Sequence, residues 1–153
     1  MKQAQSEKWV IRRAHRDDAA ALKSCMIAAF ERPTAMLGGA PLPPMTADYE
    51  CEIRDYLVWV VVQENKIIGG LVLEEKPSHM LIGIIGVDPK VQGLGIGKAL
   101  LDLAENKSQQ AGLNELRLAT HIALTENISF YKHLGWRERG RDDVRIYMSK
   151  KLG

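Results

Sequence analysis

Val87-Asp88-Pro89-Lys90-Val91-Gln92-Gly93-Leu94-Gly95-Ile96-Gly97-Lys98-Ala99-Leu100-Leu101 links two segments of different period. Before it lies an unbroken apolar run, Met80 to Val87. After it, Ile96, Ala99, Leu100, Leu103 and Ala104 recur at helical spacing. The stretch therefore connects the end of a buried strand to the start of a helix. Glycines at the alternate positions 93, 95 and 97 strip side chains from that junction, so a ligand can approach the backbone closely. The first turn of a helix also has N–H groups without partners and carries partial positive charge. Phosphate is the anion such a turn suits best, so a strand–loop–helix that binds a phosphate-bearing cofactor is expected.

Spacing separates the glycine patterns that compete here. A dinucleotide fingerprint, G-x-G-x-x-G, needs glycine where Gly93-x-Gly95 meets Lys98, and where Gly95-x-Gly97 meets Leu100. A triphosphate loop needs glycine where Gln92 stands and Ser or Thr where Ala99 stands. What remains is Q-x-x-G-x-G, Gln92 through Gly97, directly after an apolar strand. A second stretch follows about thirty residues on: Thr125-Glu126-Asn127-Ile128-Ser129-Phe130-Tyr131-Lys132-His133-Leu134-Gly135-Trp136. It has an Asn opening a short helix, a Phe-Tyr pair, then Gly-aromatic where the next strand begins. In these two motifs, in this order, the chain resembles the GNAT superfamily of acetyl-CoA-dependent N-acetyltransferases. The resemblance is firm from about Met80 to Trp136 and looser on either side.

Composition bounds the alternatives. A chain of 153 residues is one domain by length, read here over 1–153 with a polar tail at 1–8. The net charge of +2 is close to balance, and no basic run interleaves with aromatics, so nucleic-acid binding is not expected. Cys25 and Cys51 are too few and too far apart for a disulfide framework or a metal site, and each reads as a small hydrophobe on a helix. Met1 to Lys8 lacks the apolar core of a signal peptide, and no stretch approaches a membrane span. These features predict a soluble, cytoplasmic protein that engages neither membrane nor metal.

Along the chain, Trp9 to Arg13 reads as a strand. Asp17 is expected to cap a helix carrying Leu22, Cys25, Met26, Ala29 and Phe30. Glu31 to Met45 holds four prolines and Gly38-Gly39, which predicts a loop, either functional or a surface connection. A second helix is expected over Thr46 to Asp55, capped by Thr46. Leu57 to Gln63 and Lys66 to Glu74 flank Glu64-Asn65 as a hairpin. Met80 to Val87 shows no polar alternation and predicts a central strand buried on both faces. Gly83 and Gly86 within it suggest a bulge or a ligand against the backbone. Gly112 ends the next helix, Glu115 to Thr120 is a parallel strand, and Gly135 stops a helix over Thr125 to Leu134. Trp136 to Arg139 and Val144 to Ser149 close the chain as a hairpin, with Val144, Ile146 and Met148 facing inward. The sum is an α+β domain whose mixed, mostly antiparallel central sheet is flanked by helices, as in the GNAT acyl-CoA N-acyltransferase fold.

The resemblance implies roles for individual residues. Gly93, Leu94, Gly95, Ile96, Gly97 and Lys98 would wrap the pyrophosphate of acetyl-CoA through backbone N–H groups, with Gln92 contacting the same phosphates or holding the loop. Lys98 either adds charge or is simply solvated. The pantetheine arm would pair with the backbone of Ile85 and Val87 as an added strand. A backbone N–H near Val87 would stabilise the oxyanion. Asn127 would bind that arm, or satisfy its own backbone at the helix start, or both. Tyr131 matches the family's proton donor for the departing thiolate; its alternative is a core tyrosine beside Phe130. Relatives often carry a glutamate on the central strand, and this strand has none. His121 is one candidate base because imidazole titrates near neutrality; Glu74, Glu75 or a water chain are others.

The acceptor implied is a primary amine, on a small molecule, an amino acid, a peptide or a protein. Glu31 to Met45, the second helix and Asp142-Asp143 are the segments expected to select it. Kinship also implies a homodimer. A catalytically silent acyl-CoA-binding or sensor domain of the same fold is the alternative reading.

Overall fold

The structure, a computed structural model, describes residues 8–153, so the expected tail lies outside the described residues except for Lys8. Seven strands form one mixed sheet in the order β1-β2-β3-β4-β5-β7-β6: β1 Val10–Arg13, β2 Leu57–Gln63, β3 Lys66–Glu75, β4 Met80–Val87, β5 Glu115–His121, β6 Arg137–Arg141 and β7 Arg145–Lys151. Its helices are α1 Ala19–Met36, α2 Pro43–Thr46, α3 Tyr49–Asp55, α4 Ile96–Gln110 and α5 Thr125–His133. Among the described residues no helix is long and apolar enough to cross a membrane. Two compact units divide the described residues, one of 8–73 with Ile84–Leu101, the other of Glu74–Gly83 with Asp102–Gly153.

In the first unit, β1, β2 and β3 pair antiparallel. Glu64 (φ 49°) and Asn65 (φ 63°) both take left-handed conformations, the geometry of a tight hairpin whose twist matches its strands. The β-branched run of β2 alternates faces, and Val58 and Val60 join Leu22, Cys25, Met26 and Tyr49 in the core. A register shift falls between Val61 and Val62 of β2. Gly86 gives α1 its seat: a Cβ on it would stand 2.6 Å from Met26 Sδ.

Three expectations for this unit are corrected. Asp17 does not cap α1. A 3-10 turn, Arg16–Asp18, precedes the helix, and Asp18 accepts the His15 N–H (2.7 Å) and pairs with Arg12 through both oxygens (2.7 and 3.1 Å). Much of Glu31 to Met45 is helical rather than loop: α1 runs through Pro33 to Met36, and Gly38 (φ 93°) and Gly39 (φ 91°) follow its end. Pro33 forfeits a single N–H bond near the helix C-terminus, while Pro43 and Pro44 open α2, where a missing N–H costs nothing. Thr46 is the last residue of α2, and the cap of α3 is Asp48, whose carboxylate accepts the Cys51 N–H (3.2 Å).

The strand expected at Met80 to Val87 has those bounds, yet it is not buried on both faces: Met80, Ile82 and Ile84 are buried while Gly83 is exposed. In the second unit Met80 and Leu81 pair parallel with Leu116 and Arg117. Past Asp102, α4 buries Ala104 and Ser108 and ends at Gly112 (φ 77°), where the Leu113 N–H returns to the Ser108 carbonyl (2.9 Å). Lys150 on β7 bonds Glu105 on α4 at 2.8 Å. Helix α5 is stopped by Gly135 (φ 96°). In the final hairpin Ile146 and Met148 point inward as expected, but Val144 is 52% exposed. It lies in the turn, where the Asp142 carboxylate accepts the N–H groups of Val144 (2.8 Å) and Arg145 (2.7 Å).

Candidate active site

The glycine loop belongs to the first unit. Its entry is fixed at Asp88, whose N–H donates to the Ile68 carbonyl (2.8 Å) and whose buried carboxylate accepts the Lys90 N–H (2.9 Å). Asp before Pro is a turn signal, and here it sets the short turn Pro89–Val91 ahead of the glycines. The chain leaves it extended at Gln92 (ψ 153°) and turns left-handed at Gly93 (φ 88°) and Gly95 (φ 78°). Ala99 N–H closes a helical bond on the Gly95 carbonyl (3.0 Å). The first amides of any helix have no helical carbonyl to reach, which makes such a turn a donor-rich, electropositive end.

Side chains sort cleanly along this loop. Gln92, Gly93, Leu94, Gly95 and Lys98 are exposed and Gly97 is half-buried, whereas Ile96 is buried and serves the core. The Ile96 side chain is therefore closed to a ligand, and only its backbone remains available. A Cβ added at Gly93 or Gly95 would meet no atom within 4 Å, so these glycines answer to backbone conformation and leave open space over the amides. Such a cradle fits a diphosphate. Ile85 and Val87, on the β4 face opposite Ile84, are half-buried.

The second unit holds Asn127, Tyr131, His121 and Glu74. Asn127 is the third residue of α5, half-buried, behind a Leu124 N-cap that makes no side-chain bond. Asn127 thus does not cap its own helix. Tyr131 is buried, its ring set edge-on between Phe130 (centroids 5.6 Å) and Trp136 (5.7 Å), and its carbonyl accepts the Trp136 N–H (3.0 Å). Burial pushes its phenol up to about 12, so the hydroxyl holds its proton throughout the neutral range. The buried Trp136 Nε1 has no hydrogen-bond partner among the described residues.

His121 ends β5, one residue further than expected, and its Nδ1 accepts the Ala123 N–H (3.0 Å). A neutral imidazole has one acceptor nitrogen, and here a backbone amide occupies it, which disfavours His121 as a base. Glu74 is held beside Lys76 (3.2 Å), and its Oε2 lies 2.7 Å from where a Cβ on Gly83 would be. Gly83 therefore makes room for a carboxylate from the neighbouring strand, a relation the sequence did not disclose. Glu75 is exposed.

Comparison with known proteins gives this arrangement its context. Residues 22–136 match the model of the acetyltransferase (GNAT) family. The peptidyl-lysine N-acetyltransferase YjaB of Escherichia coli K12 is 26% identical over 109 residues, 65% of this chain and 68% of that protein. The IAA acetyltransferase of Azospirillum brasilense is 27% identical over 90 residues, 55% of this chain and 59% of its own. A mycothiol acetyltransferase of Arthrobacter sp. FB24 is 37% identical over 62 residues, 39% of this chain and only 19% of that relative's length. In three dimensions the PaiA N-acetyltransferase of Thermoplasma acidophilum, solved with coenzyme A, superposes with a TM-score of 0.85 at 21% identity, covering 95% of this chain and 99% of that one. The ribosomal-protein-S18-alanine N-acetyltransferase of Escherichia coli gives 0.77 at 20%, covering 95% of each chain. With the family model spanning three-quarters of its length and the fold in agreement, this chain belongs to the GNAT family of acetyltransferases.

Proposed function

We propose that this protein transfers an acetyl group from acetyl-CoA to a primary amine by direct attack in a ternary complex. The observation that carries the reading is the pair of left-handed glycines, Gly93 and Gly95, which open α4 with clear space above their amides. Gly93 to Lys98 hold the diphosphate through backbone N–H groups, and Gln92 adds its amide. Ile85 and Val87 offer backbone groups to an extended pantetheine arm, and Asn127, not engaged in capping, is a further polar contact for it. When bound, the cosubstrate supplies an activated acetyl thioester. Tyr131 keeps its proton at neutral pH and donates it to the departing sulfur. Family membership and the coenzyme A bound by the Thermoplasma acidophilum neighbour support this assignment.

A catalytically silent acyl-CoA-binding domain is the second reading, favoured by the tight packing of Tyr131 between Phe130 and Trp136, which would suit a purely structural tyrosine. Thermal melting with and without coenzyme A, followed by an amine screen that detects free thiol released from acetyl-CoA, separates the two. Binding with turnover supports the enzyme, and binding without turnover on any amine supports the silent domain. No stabilisation at saturating coenzyme A removes both.

A further inference from the structure

The β5-β7-β6 part of the second unit buries one face of its strands and leaves the other part-exposed. Directly opposed residues share a face, so the register sorts the side chains. Leu116, Leu118, Ile146 and Met148 fill the buried side. On the other side Glu115 stands opposite Lys151, Arg117 and Arg137 flank Ser149, and His121 meets Arg145. The floor is small and open: Ala119, in mid-strand, is exposed, and Ser149 is half-buried. Arg139 is the extra residue at the irregularity between Glu138 and Gly140. Its charge reaches across the same face, adding to the Arg117 hydrogen bond that holds the Glu115 carboxyl low.

Charge on this face is one-sided. Arg117, Arg137, Arg139, Arg145 and Lys151 oppose Glu115 and Asp142, the latter taken by the Tyr147 hydroxyl at 2.9 Å. Arg117 is paired with Glu115 at 2.8 Å, while Arg137, Arg139 and Lys151 make no ion pair among the described residues. Arg145 and Lys151 sit at the two ends of β7, about 20 Å apart at strand rise. One small anion cannot reach both, whereas carboxylates spaced along an extended chain can. Guanidinium groups match carboxylates in a planar, two-point geometry. Nucleic acid fits less well: among the described residues Tyr147 is the one aromatic whose register puts it on this face, its hydroxyl is engaged by Asp142, and stacking successive bases needs several such rings.

We infer that this face docks an acidic stretch of the polypeptide that presents the acceptor amine. The acceptor role rests on the acetyltransferase reading; the docking itself does not. The test measures fluorescence anisotropy of labelled lysine-containing peptides of equal length, one rich in Glu and Asp, one uncharged, with a single-stranded oligonucleotide as a third polyanion. The expected result is acidic peptide binding at least about tenfold tighter than the uncharged one, weakened by salt, with that preference lost in Arg137→Glu/Arg139→Glu. Both side chains are exposed, and melting checks that the variant folds. Equal binding of the two peptides, or an unchanged preference in the variant, overturns the proposal. So does an oligonucleotide that binds as tightly as the acidic peptide. Coenzyme A binding, measured in parallel, reports on the transferase reading alone, so either idea can fail while the other stands.

Discussion

Gly86 faces Met26 so closely that a Cβ on the glycine would lie 2.6 Å from the methionine sulfur and 3.0 Å from the Phe30 ring. The helix α1 is seated on β4 at a point where the strand has no side chain. Gly86→Ala should lower stability, and Gly86→Val should do so further, by about 1–3 kcal/mol as overpacked cores do. Thermal melting checks it; a Gly86→Ala protein as stable as the parent would show that α1 is not held there.

That relation also explains what could and could not be read from the chain. Period and turn chemistry are local, so the Glu64-Asn65 hairpin, the bounds of Met80–Val87 and the stop at Gly112 were all legible. The reason for Gly86 was not, because Met26 is sixty residues away in sequence and close only in space. Pro33 misled for a different reason. Proline reads as a breaker, but near a helix C-terminus the loss of one N–H bond is outweighed by the packing of Leu22, Cys25 and Met26 earlier in the same helix. Of the candidate site, the glycine loop was legible as a pattern. The contacts of Asp88, the indole beside Tyr131 and the Glu74 carboxylate over Gly83 are tertiary, and no spacing encodes them.

Gly95 separates backbone strain from ligand exclusion. Its φ of 78° suits glycine, and Asn tolerates the left-handed region better than β-branched residues. No protein atom lies within 4 Å of an added Cβ. Gly95→Asn should therefore fold with modest loss yet bind coenzyme A weakly, because its side chain enters the space above the amides. Gly95→Val should lose binding and also stability, of order 1–3 kcal/mol. Calorimetric titration with coenzyme A alongside melting checks both, and parent-like affinity in Gly95→Val would end the diphosphate assignment.

Tyr131→Phe keeps the ring between Phe130 and Trp136 and removes only the hydroxyl. Coenzyme A affinity should stay near the parent's while kcat falls by about 10²-fold, the usual contribution of a positioned acid. Because burial raises the phenol to about 12, the parent's rate should show no alkaline decline from this group below about pH 11. A pH–rate profile and single-turnover rates test this; an unchanged kcat removes Tyr131 from the chemistry.

His121 offers the opposite expectation. The Ala123 N–H occupies its Nδ1, so the imidazole trims the end of β5 and does not take a proton from the amine. His121→Ala should change kcat far less than the about 10²-fold that loss of a positioned base brings. The acid limb of the pH–rate profile should stay in place. A shifted limb with a collapse in kcat would restore the histidine as the base.

The Arg12–Asp18 pair sets an acid-sensitive contribution to stability. Asp18 is mostly buried, and Arg12 is 39% exposed, so solvent screening limits the pair to about 1 kcal/mol. The Arg12 hydrogen bond holds the Asp18 carboxyl below its ordinary value of 3.8. With the folded value depressed, the unfolded chain binds the proton first on acidification. The contribution is complete above about pH 4 and is lost as pH falls through the folded value. Asp18→Asn still offers an oxygen to the His15 N–H but not a charge to Arg12. It should melt below the parent at pH 7, with the gap closing as the buffer is taken well below pH 4. A gap that stays constant across that range would mean the pair acts through packing and hydrogen bonding alone, and that its ionisation is not linked to folding.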